Sequence, residues 1–313
     1  MKYRFMALLT AVFLSFSAST AVYAQSMDQS LLAQAEQTQE EGQDQNTEEG
    51  EIRQVVAFGA DLSAEQKQIV MEAFGLDEAS LSGIDVITVT NAEEHEYLDS
   101  YLNSSVIGTK ALSSVYVIKE SDGHGLDIST SNINYCTISM YKNALITAGL
   151  EDATVVVAGP TQISGTAALI GCAKAYSEMT GEQISEEGLD AAADELVTTG
   201  EIGEAIGNAD DAAELIAYLK QYMIENDLND EESISEEVQK RAGELGYELT
   251  DDEVAQITSL LMKISKLDID VNALKEQAKD IFNALDLNNG SASGGFSGIV
   301  QSILSFFKGL FHS

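Results

Sequence analysis

The sequence predicts an α+β fold: a mixed sheet with packed helices over residues 52–180, an all-helical domain over 181–287 and a tethered C-terminal amphipathic helix. Three observations lead there. From Ile52 to Met179, short β-branched or aromatic runs alternate with apolar residues at helical spacing. Beyond Gly181 the β-like runs stop, and Ser, Asp, Glu, Ala and Leu dominate through Leu287. A Gly, Ser and Asn stretch, Asn288 to Gly295, reads as a flexible linker before a last apolar segment, Phe296 to Phe311.

The first 24 residues have the pattern of a secretory signal peptide. Lys2 and Arg4 precede the apolar run Phe5 to Phe16, and the small-residue exit Val22-Tyr23-Ala24 places cleavage after Ala24. That run is too short for a stable bilayer span. Residues 25–51 are rich in Gln, Glu, Asp and Asn, with few large apolar residues, and read as a disordered acidic spacer. Sixteen basic and 52 acidic residues give a formal net charge of −36, which loss of Lys2 and Arg4 deepens by two. A field of that sign opposes nucleic acid and attracts cations, so no nucleic-acid role is expected.

Within residues 52–180 the elements follow in order. Gln54 to Phe58 and Ile84 to Thr90 are strands, and Ala64 to Phe74 is a helix with Ile69, Val70 and Phe74 at helical spacing. Ser63 with Gln66, and Asn91 with Glu94, have capping-box spacing and mark two helix starts. Ser113 to Lys119 and Leu126 to Thr130 flank Asp122-Gly123-His124-Gly125 and are expected to pair as an antiparallel hairpin. A helix from Thr137 to Ala148 stops at Gly149, and Ala153 to Ala158 follows as a nearly all-apolar strand covered on both faces. Gly159-Pro160 is expected to end that strand, and Ser164-Gly165-Thr166 to open the next helix. In the helical half, Ser233 with Glu236 and Thr250 with Glu253 again have capping-box spacing. Val254, Ile257, Leu261 and Ile264 line one helix face, and Val271, Leu274, Ala278, Ile281 and Leu285 line another.

Few residues suggest chemistry. Ser164-Gly165-Thr166 follows a strand and opens a helix, where backbone N–H groups can receive an anion, so it is the candidate small-ligand site. Glycine there also serves close packing of helix on sheet. Cys136 and Cys172 allow two readings in an exported chain: a disulfide, worth on the order of 3 to 4 kcal/mol in the chain-entropy model, or buried small hydrophobes. With His95 or His124 they could also be asked to form a cysteine hydrolase, but none of the four stands in a recognisable signature. Three histidines and two cysteines give no zinc spacing, and no cofactor is implied. Asp286, Asn288 and Gly290 begin like a calcium loop without its closing carboxylate. The acidic runs near helix starts suit the helix dipole and could collect divalent cations only weakly.

Several motifs carry a family resemblance. They are Phe58-Gly59-Ala60-Asp61-Leu62, Ile87-Thr88-Val89-Thr90-Asn91 with Glu93, Glu94 and His95, Ser114-Val115-Tyr116-Val117, Met140 to Gly149 and Ser164 to Gly171. Over about Ile52 to Leu287 the chain resembles the YpuA-like family of secreted proteins from Gram-positive bacteria, domain of unknown function number one thousand and two. The resemblance implies an extracellular or envelope address and supplies no catalytic residue. A Gram-positive envelope is polyanionic, so retention of so acidic a chain there is expected to need bridging calcium or magnesium.

The expected function is that of a non-catalytic secreted or envelope-associated binding factor, with an envelope-directed hydrolase as the alternative. The partner is an envelope component or a protein. The tethered segment offers a further contact: Phe296, Ile299, Val300, Ile303, Leu304, Phe307, Leu310 and Phe311 recur at steps of three and four. At 1.5 Å per residue it would be about 24 Å long, short enough to lie along a surface rather than cross a bilayer.

Overall fold

The structure is a computed structural model that describes residues 53–267 and Ile269. The expected signal peptide, acidic spacer, helix stripe from Val271 to Leu285, calcium-loop-like stretch, linker and Phe296 to Phe311 helix lie outside the described residues.

Five strands form one mixed sheet: β1 (Gln54–Gly59), β2 (Asp85–Val89), β3 (Ser114–Lys119), β4 (Leu126–Ile133) and β5 (Ala153–Ile163). Their spatial order is β2-β1-β3-β5-β4. The β1/β2 and β4/β5 pairs are parallel, and β1/β3 and β3/β5 antiparallel. Helix α1 (Ala64–Phe74) follows β1, α2 (Asn91–Leu98) and the single turn α3 (Ser104–Ile107) follow β2, and α4 (Ile138–Thr147) and α5 (Ala167–Thr180) flank β5. On one sheet face Val56, Phe58, Tyr116 and Ala158 pack with Val70, Met71 and Phe74 of α1. On the other, Val55, Ala57, Val115, Val117, Val155 and Val157 share a core with α4 and α5. The sheet is thus covered on both faces, and the α+β reading holds.

The helical half comprises α6 (Glu186–Ile206), α7 (Ala209–Glu225), α8 (Glu231–Glu244) and α9 (Asp251–Ile264). Val254, Ile257, Leu261 and Ile264 are buried, as their spacing requires. The sheet's core continues into this half through Leu189, Ala192, Leu196 and Ala213. A buried polar joint fastens the two. Lys220 Nζ donates to Asn143 O (3.1 Å), Thr147 Oγ1 (2.9 Å) and Glu195 Oε1 (2.8 Å), and Thr147 Oγ1 donates to Glu195 Oε2.

Two expectations about strands fail. β3 and β4 do not pair as a hairpin, because β5 lies between them. β5 is apolar enough to require partners on both edges as well as cover on both faces, and this leaves the more polar β4 at the sheet edge. Gly123 and Gly125 do adopt positive φ, yet the turn they serve wraps around Asp152, whose carboxylate accepts from Gly125 N at 2.7 Å. Nor does Gly159-Pro160 end β5. The β3 ladder stops at Ala158, so the missing N–H of Pro160 costs no bond to β3. On the β4 side, Asn132 sits at φ 59° in a bulge and donates through Nδ2 to Gly159 O.

The capping boxes at Ser63 and Thr250 form, and Thr137 caps α4 through its Oγ1, which accepts from Met140 N. Two other starts are displaced. Thr90, not Asn91, caps α2: its Oγ1 accepts from Glu93 N, and Glu93 Oε2 accepts from Thr90 N. Asp230 caps α8 three residues ahead of Ser233, its carboxylate taking the Ser233 N–H. Being one residue out at Asn91 conceals what Glu94 does.

Candidate functional site

Because Thr90 and Glu93 close the capping box, Glu94 turns inward from the first turn of α2 and is 2% exposed. It lies at the start of α5. Thr166 Oγ1 donates to Glu94 Oε1 at 2.5 Å, the backbone N–H of Ala167 also supports the carboxylate, and Asn91 Nδ2 approaches Oε2 at 3.4 Å. Burial pushes the Glu94 carboxyl above its usual range, and these hydrogen bonds offset only part of that. Ser164 Oγ lies 3.2 Å from Thr166 Oγ1 and extends the chain of hydroxyls.

Ser164, Gly165 and Thr166 therefore open a helix whose N-terminus already faces a carboxylate of the chain itself. Glu94 thus stands where a ligand anion was expected at this helix start. Gly165 has a packing role. It sits at φ 94°, its carbonyl accepts from Tyr141 Oη at 2.6 Å, and an added Cβ would lie 2.3 Å from that oxygen.

Beside this cluster is a cavity of about 230 Å³ lined by Glu94, Val106, Ile107, Lys110, Leu112, Ser113, Ile163, Ser164 and Ala167. Its wall between α3 and β3 is clamped to α2 by His95. The imidazole Nδ1 is 2.6 Å from Asp99 Oδ1, and Nε2 is 3.0 Å from Gly108 O. Both partners are acceptors, so the doubly protonated ring is favoured, and its pKa rises above the usual 6.5, through Asp99 first and the Gly108 carbonyl second. A raised folded-state pKa makes the clamp's contribution complete below about pH 6.5 and lost as pH climbs through the higher folded value. An NMR titration of His95 is expected to give a midpoint above 6.5 that drops in Asp99→Asn; a midpoint at or below 6.5 contradicts the clamp.

The remaining candidates do not converge here. Cys136 and Cys172 are free, buried thiols rather than a bridge. Burial pushes Cys136 up to about 12 and Cys172 higher still, the opposite of an activated nucleophile. His124 is exposed in the turn before β4. Burial, then Asp211 and Asp210, push Glu214 up to about 7, but it lines no described cavity. A second cavity, about 220 Å³, is walled by Met223, Ile224, Leu228, Ile264 and Leu267, with Asp227 as its one charged lining residue. Among the described residues no three or more His, Cys, Asp or Glu side chains gather to hold a metal, and no helix is long and apolar enough to cross a membrane. The sequence reading missed Lys110 and Ser113, which no local motif distinguishes, and placed Glu94 at a helix cap.

Residues 58–281 match a family described as Protein of unknown function (DUF1002). The chain is 38% identical over 264 residues to "Uncharacterized protein YpuA" of Bacillus subtilis (strain 168), covering 83% of this chain and 87% of that one. No solved structure matches.

Proposed function

The chain belongs to the DUF1002 family, and from that premise we propose that it is an exported, envelope-associated factor that acts by binding rather than by catalysis. The observation that carries this reading is the cavity beside Glu94, lined by Glu94, Lys110, Ser113 and Ser164 together with apolar side chains. The signal-peptide pattern of residues 1–24 supports export. A net charge of −36 supports retention at a polyanionic envelope through bridging divalent cations. The Phe296 to Phe311 segment is proposed as a second, peripheral contact on a surface or partner.

Washing intact cells with and without a chelator, then assaying wash and cell fractions, tests address and bridging together. Release by chelator is expected. A cytoplasmic pool would overturn the export reading, and an envelope pool unmoved by chelator would remove the bridging.

An envelope-directed hydrolase remains the second reading, and one observation favours it. A buried carboxyl with a raised pKa beside two hydroxyls suits a general acid. Turnover of cell-wall or peptide material that Glu94→Gln abolishes would establish it.

A further inference from the structure

Residues 103–110, the turn α3 with its flanks, supply Val106, Ile107 and Lys110 to the wall of the cavity. The hydrogen bonds of this segment are local. Val106 N and Ile107 N donate to Asn103 O, Gly108 N to Ser104 O, and Ser105 N to the Asn103 side chain. Beyond its two ends the chain is anchored, by the buried Leu102 on one side and on the other by Ala111, whose N–H donates to Asp61 and whose carbonyl accepts from it. Between those anchors Ile107 is the one buried side chain. Among the described residues, the one hydrogen bond that ties the segment to another part of the chain joins His95 Nε2 to Gly108 O. The wall is therefore held at its middle by a single polar contact.

That contact depends on the charge of the ring. A neutral imidazole has one N–H and one lone pair, so it can donate to Asp99 or to Gly108 but not to both. On losing a proton the ring keeps the one on Nδ1, because the bond to the Asp99 carboxylate is charge-assisted and the shorter of the two, 2.6 Å against 3.0 Å. Nε2 then turns a lone pair toward the Gly108 carbonyl, two acceptors face each other, and the tie breaks. The charged groups acting on the ring are Asp99 and Glu94, and the wall acts on it through the Gly108 carbonyl. From the other elements packed nearby, Lys174 of α5 holds Glu93, and Asp190 of α6 accepts from Tyr101.

We propose that His95 is a pH-operated latch on the cavity: protonated, it pins the wall of residues 103–110 to α2, and neutral, it frees that wall and opens access to the cavity. The proposal rests on the binding reading above and names how that site is regulated. The sign follows from the raised folded-state pKa. The latch is fully engaged below about pH 6.5 and is released as pH rises through the folded value.

An NMR pH titration of residues 25–313 tests it, following the ring nitrogens of His95 and the carbonyl carbon of Gly108. The Gly108 carbonyl is expected to titrate with the His95 midpoint, and the neutral ring to carry its proton on Nδ1. Above the midpoint the amides of Val106, Ile107 and Gly108, corrected for the intrinsic pH dependence of exchange, are expected to lose protection about tenfold while those of β3 keep theirs. His95→Gln, which cannot change charge, is expected to abolish both pH steps. A Gly108 carbonyl indifferent to His95, a neutral ring protonated on Nε2, or equal protection on both sides of the midpoint would overturn the proposal. Adding a soluble digest of Gram-positive peptidoglycan separates it from the binding reading. A digest that binds equally on both sides of the midpoint overturns the latch and leaves the binding reading standing. A Gly108 carbonyl that titrates with His95, with no digest bound at either pH, supports the latch and discards the binding reading.

Discussion

Replacing Lys220 by alanine is expected to remove about 3–5 kcal/mol of folding stability, because it leaves a buried carboxylate without its cation. Both side chains of the Lys220–Glu195 pair are fully buried, and the three donors of the ammonium are all used, on Asn143 O, Thr147 Oγ1 and Glu195 Oε1. The joint ties α4 of the sheet layer to α6 and α7 of the helical half. A loss of that size is a large share of the 5–15 kcal/mol typical of a folded domain. Glu195→Leu combined with Lys220→Met removes both charges at once and is expected to unfold closer to wild type than either single change. Urea unfolding of the four proteins measures this; single changes costing under about 1 kcal/mol would show that the pair is not the fastening described.

Gly165→Ala is expected to cost about 3 kcal/mol, by two mechanisms that add. The left-handed backbone at φ 94° penalises any Cβ, and this Cβ would meet Tyr141 Oη at 2.3 Å and Ile133 Cγ2 at 2.7 Å. Tyr141 is fully buried, so its ring cannot swing away. Adding Tyr141→Phe removes the clashing oxygen, so the double variant is expected to lose less than the sum of the two single losses. Strict additivity in thermal or urea unfolding would mean that the close approach is not the cause.

How far the sequence disclosed this protein depends on how local each determinant is. Ser63 and Thr250 announce their helices because a capping box is complete within four residues. Strand partners are not local. The turn chemistry of Gly123 and Gly125 is what a hairpin would show, but the choice between β3 pairing with β4 or with β5 is made by an apolar strand nearly 30 residues further on. The site divides in the same way. Ser164-Gly165-Thr166 could be recognised as a strand-to-helix turn, while its actual anion, Glu94, comes from 72 residues away. Lys110 and Ser113 reach the cavity only because α3 and the His95 clamp place their segment there.

Binding at the cavity beside Glu94 is the proposal from which the rest follows. It is tested by hydrogen–deuterium exchange of residues 25–313 with and without a soluble digest of Gram-positive peptidoglycan. Slower exchange is expected in residues 104–113 and 163–167, with unchanged exchange in α8 and a digest whose composition is unaltered afterwards. Exchange unchanged in those two segments, or conversion of the digest that Glu94→Gln abolishes, would contradict it.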